Sequence, residues 1–142
     1  MLDATLDALH QLLQRHVTGL ENTWVHPSIP PRKLSNLRKA HRAHLPTGEL
    51  VLALYDATLF GSATNGFAVT PTRLLWKNPG DDALCREWRT IAPDDFRGLD
   101  EDGDVLLGQA SIATYFTGED DAAGLAWLAA LRDVARAAKG SP

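Results

Sequence analysis

The chain has 142 residues, 44% of them hydrophobic and 23% charged, with a net charge of −4. These values fit one ordinary globular domain with a sizeable core and exclude a disordered or fibrous protein. No apolar run approaches the ~18 residues that a membrane span needs, and the single Cys85 excludes an internal disulfide.

Residues 1–45 hold six Lys/Arg against three Asp/Glu (+3), and the remainder holds eight against fifteen (−7). A basic N-terminal arm on an otherwise acidic domain argues against general nucleic-acid binding, where positive charge covers the main surface. The first residues carry acids early and interrupt their apolar positions with polar ones, so they do not read as a secretory signal. A reducing cytoplasm is the default compartment.

Residues 2–18 predict an amphipathic helix, with Leu2, Leu6, Leu9, Leu13 and Leu20 in a stripe that Leu12 and Val17 widen. Gly19 stops it. A loop from Glu21 to Pro31, stiffened by prolines, leads to a second helix from Pro31 to about Leu45, ended by Pro46. Residues 1–46 thus form a helical arm, and residues 47–142 a β domain with its own closing helix.

Beyond Gly48 the period changes to that of strands. Val51–Tyr55, Phe67–Thr70, Leu74–Lys77, Leu84–Ile91, Phe96–Leu99, Val105–Leu107 and Ser111–Phe116 are the candidates. Pro71-Thr72-Arg73 joins one hairpin, and the acidic turn around Asp100–Asp104 joins another. Thr117 and Asp120 suggest a cap for a final helix over Glu119–Lys139, which carries Trp127. The plan is α+β: an antiparallel half-open barrel or sandwich of six or seven strands, two helices before it and one capping it.

The order of strands, the GFAVTPTRLLWKN hairpin and the closing Trp-containing helix resemble a bacterial pleckstrin-homology-like domain over residues 48–139. The resemblance implies binding of lipids, peptides or protein surfaces without catalysis. It also implies that Arg73 and Lys77, beside the first hairpins, stand where such a barrel holds a phosphate.

Catalytic and metal arrangements find little support. No G-x-S-x-G elbow occurs. His41 and His44 share a helix face but lack a third ligand at suitable spacing. The Asp100–Asp104 run lacks the later bidentate Glu of a calcium loop and reads as a solvated Asp-Gly turn. The loop Asp56–Gly66 reads either as an anion nest using Ser62 and Thr64 or as a plain connection. A strand rather than a helix follows it, and no Lys stands in it, which favours the connection.

No cofactor and no metal are therefore expected. The basic set Arg32, Lys33, Arg38, Lys39 and Arg42 would meet an anionic membrane or pair with the acidic stretch Asp81–Asp121, within the chain or between copies of it, and the pairing is favoured. The expected function is a non-catalytic module that binds a protein or peptide partner, or an anionic ligand. The alternatives are an immunity or inhibitor protein that regulates a toxin or enzyme, and a small hydrolase with a cryptic site near Asp56. The ligand-contacting residues are expected to be Tyr55 and Trp76 as aromatic surfaces, Asp56, Thr58 and Asn65 for polar orientation, and Arg73 and Lys77 for anions. Self-association through the leucine stripe of residues 2–18 is a further expected partner mode.

Overall fold

A computed structural model describes residues 4–58, 61–114, 116–118 and 120–140. Three helices, α1 (Ala4–Val17), α2 (Pro31–Ala40) and α3 (Ala122–Gly140), accompany eight strands. The strands are β1 (Thr23–Val25), β2 (Ala53–Asp56), β3 (Gly66–Val69), β4 (Arg73–Lys77), β5 (Leu84–Glu87), β6 (Phe96–Leu99), β7 (Val105–Leu107) and β8 (Ala110–Ile112). They form two antiparallel sheets in sequence order, β1 to β5 and β6 to β8. The α+β plan and closing helix are as expected. Seven of the eight strands, β2 to β8, lie within residues 47–142, matching the six or seven expected there, and together with β1 they make two separate sheets, not a closed barrel.

The five-stranded sheet lies between two helical layers because alternate residues of its inner strands are apolar on both sides. Tyr55, Phe67, Val69, Leu74 and Trp76 face α1 and α3, while Leu54, Ala68 and Leu75 face α2. The registers place Tyr55 opposite Phe67 and Phe67 opposite Trp76, with Leu54, Ala68 and Leu75 in the adjacent row. A one-residue slip would exchange the two faces, and the difference in side-chain size between them fixes the register.

The leucine stripe of α1 is used inside the chain. Leu9, Leu13 and Val17 are buried in the core with Trp127, Leu131 and Val134 of α3, each stabilising the fold by roughly 1.5–3 kcal/mol. Beside this stripe, His16 bonds through Nε2 to Asp133 of α3 at 2.9 Å. A pairing of two copies through residues 2–18 would have to use the opposite side of α1; Leu2 lies outside the described residues.

β1 falls where a loop was expected, and it pairs Thr23–Val25 with Ala53–Tyr55. The segments before and after residue 46 therefore share one sheet and one core. α2 ends at Ala40 instead of Leu45, and His44 and Leu45 both donate backbone N–H groups to the His41 carbonyl in a turn.

The strand expected over residues 84–91 stops at Glu87. Trp88 swings into the core, where its indole N–H donates to the Thr70 carbonyl at 3.0 Å. The last strand is short, and of its expected extent Tyr115 lies outside the described residues. Asp121, not Asp120, caps α3. One of its oxygens accepts the Gly124 N–H at 2.9 Å and the other the Thr117 N–H at 2.8 Å.

Candidate functional site

Two of the residues expected to touch a ligand are inside the molecule. Tyr55 and Trp76 are 2% and 4% exposed. Tyr55 stacks on Phe67 with ring centroids 5.3 Å apart, and the Trp76 indole N–H has no hydrogen-bond partner among the described residues. An aromatic pair held this way packs a core and offers no face to a ligand.

The polar residues expected at the site divide between two clusters on the α2 side of the sheet. In the first, Asp56, only 2% exposed, meets the Lys33 ammonium of α2 at 2.7 Å. The other Asp56 oxygen accepts the backbone N–H and the hydroxyl of Thr58 at 2.9 and 2.6 Å. Burial pushes this carboxyl up, but the hydrogen bonds from Lys33 and Thr58 outweigh it and hold the group below the usual carboxylate range. Thr58 passes the network on, its hydroxyl accepting the Ser62 N–H at 2.8 Å. Lys33 also donates to the Gly61 carbonyl at 2.6 Å and lies 4.5 Å from the Trp24 ring centre. Nearby, Lys77 donates to Asn65 Oδ1 at 3.2 Å. Asp56, Thr58 and Lys33 thus fasten the loop after β2 onto α2. The hydroxyls proposed for an anion nest are occupied within that loop, of which Leu59 and Phe60 lie outside the described residues.

The second cluster is built on Glu49. It accepts from Arg73 Nε at 2.9 Å and from the hydroxyls of Thr70 and Thr72, each at 2.7 Å. Burial raises the Glu49 carboxyl, and the bonds from Thr70, Thr72 and Arg73 bring it to a net position below its ordinary value. Arg73 further donates to the His44 carbonyl at 3.1 Å. Arg73 and Lys77 therefore stand at opposite ends of β4, each with an internal partner, and do not converge on one anion site.

The histidine pair of the second helix also separates. His41 is 1% exposed with Nδ1 unpartnered, whereas His44 Nε2 donates to the Ala83 carbonyl at 3.0 Å. Among the described residues no three His, Cys, Asp or Glu side chains are grouped to hold a metal ion. At the acidic turn, Asp100 accepts the backbone N–H groups of Asp102 and Asp104.

What remains open is the edge of the larger sheet. The Trp88 N–H donates to the Thr72 carbonyl at 3.0 Å, and Leu74 and Trp76 lie opposite Arg86 and Leu84. In an antiparallel pair, hydrogen-bonded and non-bonded positions alternate, so residues 84, 86 and 88 face β4 and residues 85 and 87 face outward. The Glu87 carbonyl accepts the Thr90 hydroxyl at 2.7 Å. The Cys85 N–H and carbonyl and the Glu87 N–H have no partner among the described residues. Leu84, at the start of the strand, is 47% exposed. A depression of about 230 Å³ lined by Pro71, Thr72, Glu87, Trp88, Arg89 and Ala138 lies at its other end. The sequence marks β5 as a strand but does not reveal that it ends the sheet, because edge position depends on pairing between distant segments.

No family model matches the chain, and neither a curated protein nor a solved structure matches it.

Proposed function

We propose that this protein is a non-catalytic binding module of pleckstrin-homology-like type that takes an extended segment of a protein or peptide partner as a sixth strand beside β5. The observation that carries this reading is the outward row of unpartnered backbone groups at Cys85 and Glu87. An added strand would satisfy them, as edge strands do when they template a peptide. Leu84 and Arg86 project from one face of that edge and Cys85 from the other. A partner would then place an apolar side chain near Leu84 and an acidic one near Arg86. The pleckstrin-like assignment is supported by the sequence resemblance and by antiparallel strands followed by a closing helix. Binding rather than catalysis is supported by the candidate polar groups, which are spent on internal hydrogen bonds.

Selection from a displayed peptide library tests the reading, with Cys85→Pro as the control. Proline is tolerated on edge strands when its missing N–H faces away from the ladder. This variant removes the outward donor and keeps the pairing with β4. Peptides enriched on the wild type should lose binding to Cys85→Pro while its unfolding midpoint stays close to wild type. Equal binding to both proteins would overturn the proposal.

A further inference from the structure

Between Glu21 and Glu49 the chain carries five Lys/Arg and no acidic residue. In the structure Lys33 turns inward to Asp56, and Arg38 donates to the Glu49 carbonyl at 2.8 Å. Arg32, Lys39 and Arg42 make no ion pair among the described residues, so the internal pairing expected with Asp81–Asp121 is not formed there. An open groove of about 480 Å³ runs along this face, lined by Pro31, Leu34, Ser35, Arg38, Lys39 and Arg42.

We infer that the outer face of α2 docks an acidic, leucine-bearing segment of a protein partner, its carboxylates on Arg38, Lys39 and Arg42 and its apolar side chain on Pro31 and Leu34. Charge complementarity is local here. α2 spans ~15 Å and carries four Lys/Arg and no acid, and outside it the chain holds ten Lys/Arg against eighteen Asp/Glu, a charge of −8. A short segment confined to the groove sees the cations within a Debye length of ~8–10 Å and is screened from the acids beyond. A membrane or nucleic acid would extend past the helix and meet the acidic remainder, which disfavours both. The helix is also held still. Leu37 is 1% exposed and anchors the inner face together with Ile29 and Leu45, so the cations are presented from a rigid support. None of the lining residues belongs to β5, and the surface stands or falls independently of the edge-strand reading.

The test is fluorescence anisotropy of the full chain with two labelled pools of peptides about ten residues long, enough to follow the helix. One pool is built from Asp, Glu, Leu and Ser, and in the other Asn and Gln replace the acids. The acidic pool should bind, and the amide pool should bind at least tenfold more weakly. Lys39→Glu/Arg42→Glu should weaken the acidic pool at least tenfold without moving the thermal unfolding midpoint, and Cys85→Pro should leave it unchanged. Should the glutamate variant unfold, Lys39→Gln/Arg42→Gln supplies the same comparison with the charge removed rather than reversed. Failure of the acidic pool to bind, equal binding of the two pools, or indifference to the loss of both cations would overturn the inference. So would tighter binding to vesicles of phosphatidylcholine and phosphatidylserine than to the acidic pool, which would assign the face to a membrane.

Discussion

The two faces of the five-stranded sheet differ in kind, although the same strands supply both. Towards α1 and α3 the side chains are large and aromatic. Phe67 meets Trp127 edge-on at 4.7 Å, and Tyr55 lies 5.0 Å from Phe116. Towards α2 they are smaller, Leu54, Ala68 and Leu75, and among them sit Asp56, Lys77 and His41. The first face stabilises by area and shape. The second buries polar groups such as Asp56, whose partner Lys33 is supplied by α2, and the outer side of that same helix carries Arg32 and Lys39, which make no ion pair among the described residues.

Trp127→Ala should have the largest effect on this contrast. The ring is fully buried, and its Nε1–H donates to Thr23 Oγ1 at 2.9 Å, tying α3 to β1. Truncation leaves a cavity in the aromatic face and removes the donor to the Thr23 hydroxyl, which keeps only its own bond to the Glu21 carbonyl, costing about 4–5 kcal/mol in chemical denaturation. A loss below about 1 kcal/mol would mean that the aromatic face is not where stability is concentrated.

Lys33→Met sharpens the other side. It keeps much of the side-chain volume and removes the ammonium from Asp56, whose carboxylate stays buried with only Thr58 to satisfy it. The cost should be about 3 kcal/mol, at the low end for a broken buried pair because the Lys33 side chain is 16% exposed. The double substitution Lys33→Met/Asp56→Asn should recover part of it, as the uncompensated charge is then gone. A double variant no better than Lys33→Met would show that the pair contributes position rather than charge compensation.

What the sequence made legible follows the same division. β3 and β4 are readable because Pro71-Thr72-Arg73 separates two apolar runs, and β6 and β7 because an Asp-Gly turn does. α1 and α3 are readable from their period. β1 is not, since three residues between a polar turn and a proline-rich loop carry no alternation to detect. Nor is the division into two sheets, because it depends on which distant segments pair. Tyr55 and Trp76 looked like ligand contacts because a strand pattern does not say which face a later helix will cover, and α3 begins 45 residues after β4 ends. The role of Asp56 as a structural anchor was hidden for the same reason, its partner Lys33 lying 23 residues earlier on another element.

His41 gives the smallest and most selective test of the α2 face. Burial, then the nearby His44 and then Lys77, lower its pKa from 6.5 to about 4, so the folded protein holds the ring neutral where the unfolded chain would protonate it. The unfolded state therefore binds more protons between those two values. The stabilisation is complete above pH 6.5 and is lost as the pH falls towards 4. From pH 7 to pH 5 the wild type should lose about 2 kcal/mol through this group. His41→Leu fills a similar apolar site, removes the unpartnered Nδ1 and abolishes the titration, so its stability should fall by markedly less over the same interval. Glu49, Asp56 and Asp104 also titrate differently in the folded state, but they are present in both proteins, and the difference between the two pH profiles isolates His41. Parallel profiles would show that the ring reaches water or a proton acceptor in solution, and that the α2 face is looser than its packing implies.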